Sequence, residues 1–389
     1  MRPAAFGSIA AIGLAVIALT GSACPPRPKL GEPLDGLTQA ERARFEAGRQ
    51  EFEKVFVPET GLGPLFNADA CGECHEEPRA GGTGDEVELH VAAFDPATGF
   101  CDPLADRGGP VIQQSVTPAL KAALGIDSEP VPAAATARAG RSTPDIFGFG
   151  LLDAVPDAEI EALADPDDRD GDGVSGRPNH FFDGRLGRFG RKALVPTLRE
   201  FNAGAFPVEQ GITTPDAPAE QTIGGQPLPD GVDPTAEPEI AGEAVSLAND
   251  FVRFSAPPAP RPLGAAAKRG RSLFVQIECQ RCHVPALKTG NNPVKALRNK
   301  TVYAYSDLLL HDMGPALADI CLGDATPSEF RTEPLMGVGL ATSFLHDGRA
   351  KTLEEAIRLH GGEASRSRRR FEALSAKQRE SLLEFLRSL

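Results

Sequence analysis

Two short stretches carry residue types that can hold a metal cofactor covalently. Cys71-Gly72-Glu73-Cys74-His75 and Cys279-Gln280-Arg281-Cys282-His283 both read Cys-x-x-Cys-His, the attachment sequence of c-type haem. The two thiols add to the haem vinyl groups, and the histidine that follows at once reaches the iron as proximal ligand. The competing readings are a redox dithiol, a zinc half-site or chance. A zinc site needs further Cys or His close by, and neither neighbourhood supplies them. Two copies in a chain with 7 Cys and 7 His favour haem, with two irons expected.

The sixth position on each iron decides between electron transfer and catalysis. Setting aside Met1 and the two proximal histidines, the candidates are Met313, Met336, His90, His180, His311, His346 and His360. Most of them follow the second motif. Four cysteines go to haem, which leaves Cys24, Cys101 and Cys321. With lipid on Cys24, Cys101 and Cys321 remain as an even pair in an oxidising compartment, and a disulfide between them is expected. Asp168, Asp170 and Asp172, followed by Gly173, match the start of a calcium loop. The twelfth position is Asn179, where an EF-hand needs a bidentate Glu. Calcium in a different kind of loop and a solvated acidic turn both remain open.

Several elements must position these groups. Residues 1–23 read as an export signal, with Arg2 at its start, an apolar Ala4 to Leu19, and the small residues Gly21-Ser22-Ala23 before Cys24. Cleavage there and lipidation of Cys24 are the two processing outcomes. Either places the chain in the periplasm or cell envelope, as an outer-membrane lipoprotein in the lipidated case. A Pro-rich tether covers 24–37. Thr38 to Val57 reads as a helix with a Thr38/Glu41 capping box. Asp157 to Ala164, Ile240 to Phe254, Leu263 to Ile277 and Ser375 to Leu389 read as further helices. Short strands are expected around Val87 to Ala93 and Val111 to Val116, and residues 211–238 as a loop. Gly48-Arg49-Gln50-Glu51-Phe52 repeats as Gly270-Arg271-Ser272-Leu273-Phe274, each ahead of a haem motif. The fold expected is mainly α. It has two cytochrome c-like domains, 38–256 with long insertions and 257–389, each with one covalently bound haem, long loops and little β-structure. With 41 Gly, 35 Pro, 2 Tyr and no Trp, the cores are completed by porphyrin and not by large indoles. The net charge of −14 argues against nucleic acid and suits a basic redox partner or solubility alone.

Three segments after the second motif are distinctive. They are Tyr305 to Pro315, Phe344-Leu345-His346-Asp347-Gly348-Arg349, and Thr352 to Gly362. With the Asp165 to Asn179 loop and Leu186 to Ala193, they make the chain resemble the bacterial di-haem c-type oxidoreductases, a peroxidase-like family often called thiol oxidoreductases. Its relatives are di-haem cytochrome c peroxidase and the di-haem enzyme that completes the tryptophan-derived cofactor of methylamine dehydrogenase. The resemblance implies calcium between two cytochrome c domains. It also implies His360 as the distal ligand of the second haem, where the peroxidases carry Met. His/His ligation lowers the potential of that haem. Met336 competes for the same role or packs in the core, and His311 and His346 are read as hydrogen-bonding residues.

For the first haem the resemblance implies an open face served by an acid and a polar residue, with Glu209 and Gln210 as candidates. The family carries Trp where this chain has Arg191 and Met336, so a Trp bridge between haems is absent. The activity implied is reduction of peroxide or another small oxidant at the first haem. Electrons would come from a small redox protein or cytochrome c by way of the second. The rival readings are a pure electron carrier with two six-coordinate irons, a protein-modifying oxidase, and a haem-based sensor or surface redox anchor.

Overall fold

The computed structural model describes residues 30–389. The expected export signal, Cys24 and the first part of the tether lie outside them. Seven of the helices bear most directly on the two motifs: α1 (Gln39–Phe52), α2 (Leu198–Glu209), α3 (Gly242–Phe254), α4 (Ala265–Gln276), α5 (Leu353–Leu359), α6 (Ser365–Glu372) and α7 (Ala376–Leu386). The expected capping box starts α1: Thr38 Oγ1 accepts from the Glu41 amide at 3.2 Å, and Glu41 accepts from the Thr38 amide at 2.7 Å. The helix ends at Phe52 and does not run on to Val57. Phe56 is buried beyond it, against Phe206 and Val245.

The repeated Gly-x-x-x-Phe has a packing cause. A Cβ on Gly48 would stand 2.2 Å from the Leu247 carbonyl oxygen on α3, and one on Gly270 would stand 1.9 Å from the Ser381 carbonyl oxygen on α7. Both glycines mark a crossing where two helix backbones touch. Four residues on, one turn along the same face, each repeat places a phenylalanine in the core so formed. Phe52 lies 4.9 Å from Phe251 of α3, and Phe274 lies 5.5 Å from Phe385 of α7.

Between α1 and α2 in the chain lies a small antiparallel sheet. Its central strand β1 (Val87–Asp95) pairs with β2 (Phe100–Asp102), β3 (Val111–Ile112) and β4 (Ala137–Ser142), with Leu89 opposite both Ile112 and Gly140. A second pair, β5 (Leu310–Asp312) with β6 (Glu329–Arg331), sets Phe330 opposite His311. The connection from β5 to β6 reaches back to the sheet. Cys321 is joined there to Cys101 of β2, with Cα atoms 5.9 Å apart. Ile320 and Cys321 pack against Ala92.

Just before that bond, Asp319 anchors the two halves electrostatically. One oxygen accepts from Arg141 of β4 at 2.7 Å, and the other faces Lys192 at 2.8 Å. The Lys192 side chain is 0% exposed and that of Asp319 1%. Lys192 also donates to the Pro327 and Glu329 carbonyls at 3.0 and 2.6 Å. Its ammonium sits 3.7 Å from the centre of the Phe330 ring, a cation–π contact. The imidazole of His346 stacks on Phe330 at 4.4 Å.

Two measurements test this packing. Asp319→Asn strands two buried cations, so the unfolding free energy should drop by about 3–5 kcal/mol in denaturant titrations. The second concerns acid. Burial pushes His346 down to about 4 from an ordinary 6.5, so in the fold it stays neutral below the pH at which the unfolded chain takes a proton. Its contribution is complete above pH 6.5 and is lost as pH falls towards 4. Between those limits His346→Phe should lose roughly 2–3 kcal/mol less stability than the parent protein, read from denaturation curves at both ends.

Candidate haem sites

Both motifs fold into a single helical turn in which the histidine amide donates to the carbonyl of the first cysteine, at 3.1 Å for His75 and 3.0 Å for His283. Each ring then commits its Nδ1. His75 donates to the Gly82 carbonyl at 3.1 Å and His283 to the Tyr305 carbonyl at 3.0 Å. That bond fixes the tautomer and leaves Nε2 with its lone pair, the form a metal requires. The repeat phenylalanines complete the placement, with Phe52 6.1 Å from the His75 ring and Phe274 6.4 Å from that of His283. Burial holds His75 below its ordinary range and, with His360 beside it, pushes His283 down to about 4. Both imidazoles are therefore neutral.

The four motif thiols are unbonded to one another. Burial pushes Cys71 and Cys279 up to about 12 and raises Cys74 and Cys282 as well.

The second site is a formed cavity of about 280 Å³, lined by Cys279, Cys282, His283 and apolar residues including Phe274, Leu353 and Leu386. His360 closes it from the far side. It stands directly after α5, whose first turn is capped by Thr352 accepting from the Glu355 amide at 3.1 Å. Its Nδ1 donates to the Ala356 carbonyl at 2.7 Å, and burial keeps it neutral. The His283 and His360 rings have their centres 6.5 Å apart. Two nitrogen–metal bonds of about 2 Å each, with half an imidazole at either end, span nearly that distance. The residues present therefore fit a haem held between two histidines.

Four other candidate ligands line the same cavity, namely His311, Met313, Met336 and His346. Three of them have another occupation or place. His311 bonds Asp307 at 2.9 Å and Glu363 at 2.8 Å. His346 stacks on Phe330, and Met336 is buried against Gly148. Arg191 also lines the cavity, tied to Glu333 at 3.0 Å and to the Ser142 carbonyl. His180 lies apart, 3.4 Å from Asp324.

The first site has different company. Glu209, at the end of α2, accepts from Asn67 Nδ2 at 3.0 Å, and its carbonyl takes the Asn67 and Ala68 amides at 2.6 and 3.1 Å. That clasp fixes the segment leading to Cys71. Burial and the Glu88 carboxylate hold Glu209 well above the usual carboxylate range. Gln210 sets its Oε1 3.6 Å from the Cys71 sulfur and donates to the Asp69 carbonyl. Both residues expected to serve the first haem thus lie beside its attachment point. Sequence reasoning missed Glu88, Asn67 and the role of His90, which bonds Glu88 at 3.0 Å. Only the alternating pattern of β1, with Glu88 and His90 on one face, hinted at that pair, and nothing local marked Asn67.

The Asp168, Asp170 and Asp172 carboxylates come within 4.8 Å of one another. Arg281, from inside the second haem motif, reaches Asp170 at 3.2 Å and Asp172 more closely still. Asn179 is fully buried and bonds the Lys192 and Leu322 carbonyls, so the twelfth position of the loop is occupied elsewhere. A second acidic group, Glu220, Asp233, Glu237 and Glu239, is assembled by the long loop and has no sequence signature.

No curated protein matches the chain. Among solved structures, hydrazine synthase of Kuenenia stuttgartiensis is similar at TM-score 0.43 and 14% identity, covering 97% of this chain and 100% of that one. A MauG-like protein associated with microbial copper homeostasis is similar at 0.43 and 16%, covering 97% and 95%. A variant of the diheme peroxidase BthA from Burkholderia thailandensis follows at 0.39 and 17%, covering 89% and 85%. Residues 133–389, which carry the second motif and His360, match the family model described as "Di-haem oxidoreductase, putative peroxidase". The chain belongs to that di-haem oxidoreductase family.

Proposed function

We propose that the chain is an exported di-haem c-type oxidoreductase. It would reduce peroxide, or another small oxidant, at the haem attached to Cys71, Cys74 and His75. Electrons would arrive through the haem attached to Cys279 and Cys282 and held between His283 and His360. The observation that carries this reading is the contrast between the two histidines. His283 faces a second imidazole across 6.5 Å, whereas His75 has the carboxylate of Glu88 for a neighbour.

In each site the haem supplies the one-electron chemistry. The protein's own part is to place and protect. The Nδ1 bonds of His75, His283 and His360 orient the ligand nitrogens, and the apolar walls of the second cavity keep water out. Reducing a peroxide to water consumes protons as well as electrons, so an acid must stand close by. Burial holds Glu209 well above the usual carboxylate range, and its charge acts on the Cys71 sulfur, which supports it in that role. Gln210 holds the same segment in place.

The two helix pairs suit cytochrome c-like domains over 38–256 and 257–389. Asp168, Asp170 and Asp172 would take calcium only with Arg281 withdrawn. The acidic chain suits a small basic redox protein or a cytochrome c as donor, and nucleic acid is not a partner. An export signal over 1–23 places the protein in the periplasm or cell envelope, with Cys24 as a lipid anchor in the lipoprotein form.

Low-temperature EPR of the oxidised protein, before and after peroxide, tests the reading. One high-spin ferric signal that peroxide removes is expected, beside one low-spin signal from the site of His283 and His360. The variant His360→Gly should convert that low-spin signal to high spin. Two low-spin signals indifferent to peroxide, even after partial reduction, would leave an electron carrier in its place.

A further inference from the structure

The charge of the chain is divided unevenly. Residues 1–256 carry 20 Lys and Arg against 40 Asp and Glu, whereas residues 257–389 carry 20 against 14. The part with the second haem motif is therefore basic within an acidic chain. A net charge of −14 suits a basic partner, but a partner meets a local surface and not a total.

The two motifs show the same division at close range. The first contains Glu73 and is followed by Glu76 and Glu77. The second contains Arg281, and from 251 to 306 the chain has ten Lys and Arg and a single acid, Glu278. The helical repeat keeps its Gly and Phe in both copies, yet Glu51 and Glu53 of the first copy answer to Leu273 and Val275 of the second. What the two sites share is geometry, and what separates them is surface charge.

The acids near the second motif are already matched. Glu278 meets Arg366 at 3.3 Å and Arg370 at 2.5 Å. Both come from α6, which holds four arginines in eight residues. Those contacts lay α6 along the attachment turn, where Ser367 and Arg368 line the haem cavity. Arg281 takes up Asp170 and Asp172, and Arg358 faces Glu354 and Glu372. Basic groups are left over. Lys268, Arg269 and Arg271 on α4, and Arg369 on α6, are exposed and form no ion pair among the described residues. Val275 is 50% exposed and stands one turn beyond Arg271 on the same helix face. Apolar surface inside a charged rim is the composition of a protein docking site.

We propose that the face made by α4, the second attachment turn and α6 is where the electron donor docks, and that the donor is a small acidic redox protein. One electron leaves the donor's metal centre, which is oxidised, and reduces the iron between His283 and His360; no proton moves. This rests on electrons entering through the second haem, but not on peroxide being the oxidant. The acidic first part of the chain attracts basic proteins as well, away from the entry point.

The test is stopped-flow reduction of the oxidised holoprotein by a reduced basic cytochrome c and by the same cytochrome with its lysines succinylated. Ionic strength runs from about 10 mM to about 0.3 M, and the two haems are followed separately by their spectra. At the low end the succinylated donor should reduce the haem between His283 and His360 at least about tenfold faster than the basic one. That advantage should fade as salt rises. In the variant Lys268→Glu with Arg269→Glu and Arg271→Glu it should disappear, while an unchanged haem spectrum shows that the site is intact. Calorimetric titration with the oxidised cytochromes gives a readout free of electron transfer. The variant should bind the succinylated protein more weakly and the basic one no more weakly than the parent does. Equal rates, faster reduction by the basic donor, or a variant that keeps the parent's preference would overturn the docking surface alone. Reduction of the haem at His75 ahead of the other would overturn both the surface and the entry route it rests on.

Discussion

Where α1 crosses α3, and again where α4 crosses α7, the backbones touch at a residue with no side chain. A methyl group at Gly48 or Gly270 would overlap a carbonyl oxygen of the facing helix, so either helix would have to move out. The phenylalanine one turn on would leave with it. Phe52 and Phe274 are packed against the rings of His75 and His283, so the position of each imidazole depends on how closely two helices approach. The hydrogen bond from each Nδ1 to a carbonyl then sets the rotation of the ring. Ligand geometry is thus fixed by backbone contacts, which give way less easily than side chains.

The two sites share a wall. The Gly82 carbonyl holds His75, and the next residue, Thr83, lines the cavity of the second site together with Ser142, Thr143 and Pro144. This wall belongs to the first half of the chain but is braced from the second. The Ser142 amide donates to the His346 carbonyl at 2.9 Å, Arg141 is paired with Asp319, and Cys321 is bonded to Cys101. With no Trp in the chain, rigidity between the sites comes from backbone, an ion triad and a disulfide.

What the sequence made legible was local. The haem motifs are five residues long, and the Thr38 cap acts within one turn. The helix stretches before each motif and at the C-terminus carry their own periodicity. Cys101 and Cys321 could be paired by counting, because few cysteines were left over. The sheet was legible only in part, since Gly and Pro crowd the segments between its strands and β4 is built of Ala, Gly, Arg and Ser, without the β-branched or aromatic residues that mark a strand. Lys192 stands among several arginines in the sequence, yet it is fully buried. Its partner Asp319 lies far along the chain, and nothing near either residue announces the other. Glu209 could be named in advance, but the Glu88 it meets was hidden in the same way. Glu88 comes from β1, Glu209 from the end of α2 and Asn67 from the approach to Cys71, and only the fold brings them together.

Burying charge is costly wherever it occurs, and the two buried arrays meet that cost differently. Around Asp319 every charge has a counter-charge: one carboxylate meets a guanidinium and an ammonium, and the ammonium is further bonded to carbonyls and an aromatic ring. That is sufficient reason for it as structure, since it ties β4 to the second half. Around Glu209 the balance is poor. Two carboxyls face each other, a neutral histidine keeps one nitrogen unbonded, and an amide is the only other donor. An apolar set of the same size would pack there at lower cost. Natural folds keep such sets mainly where chemistry needs them.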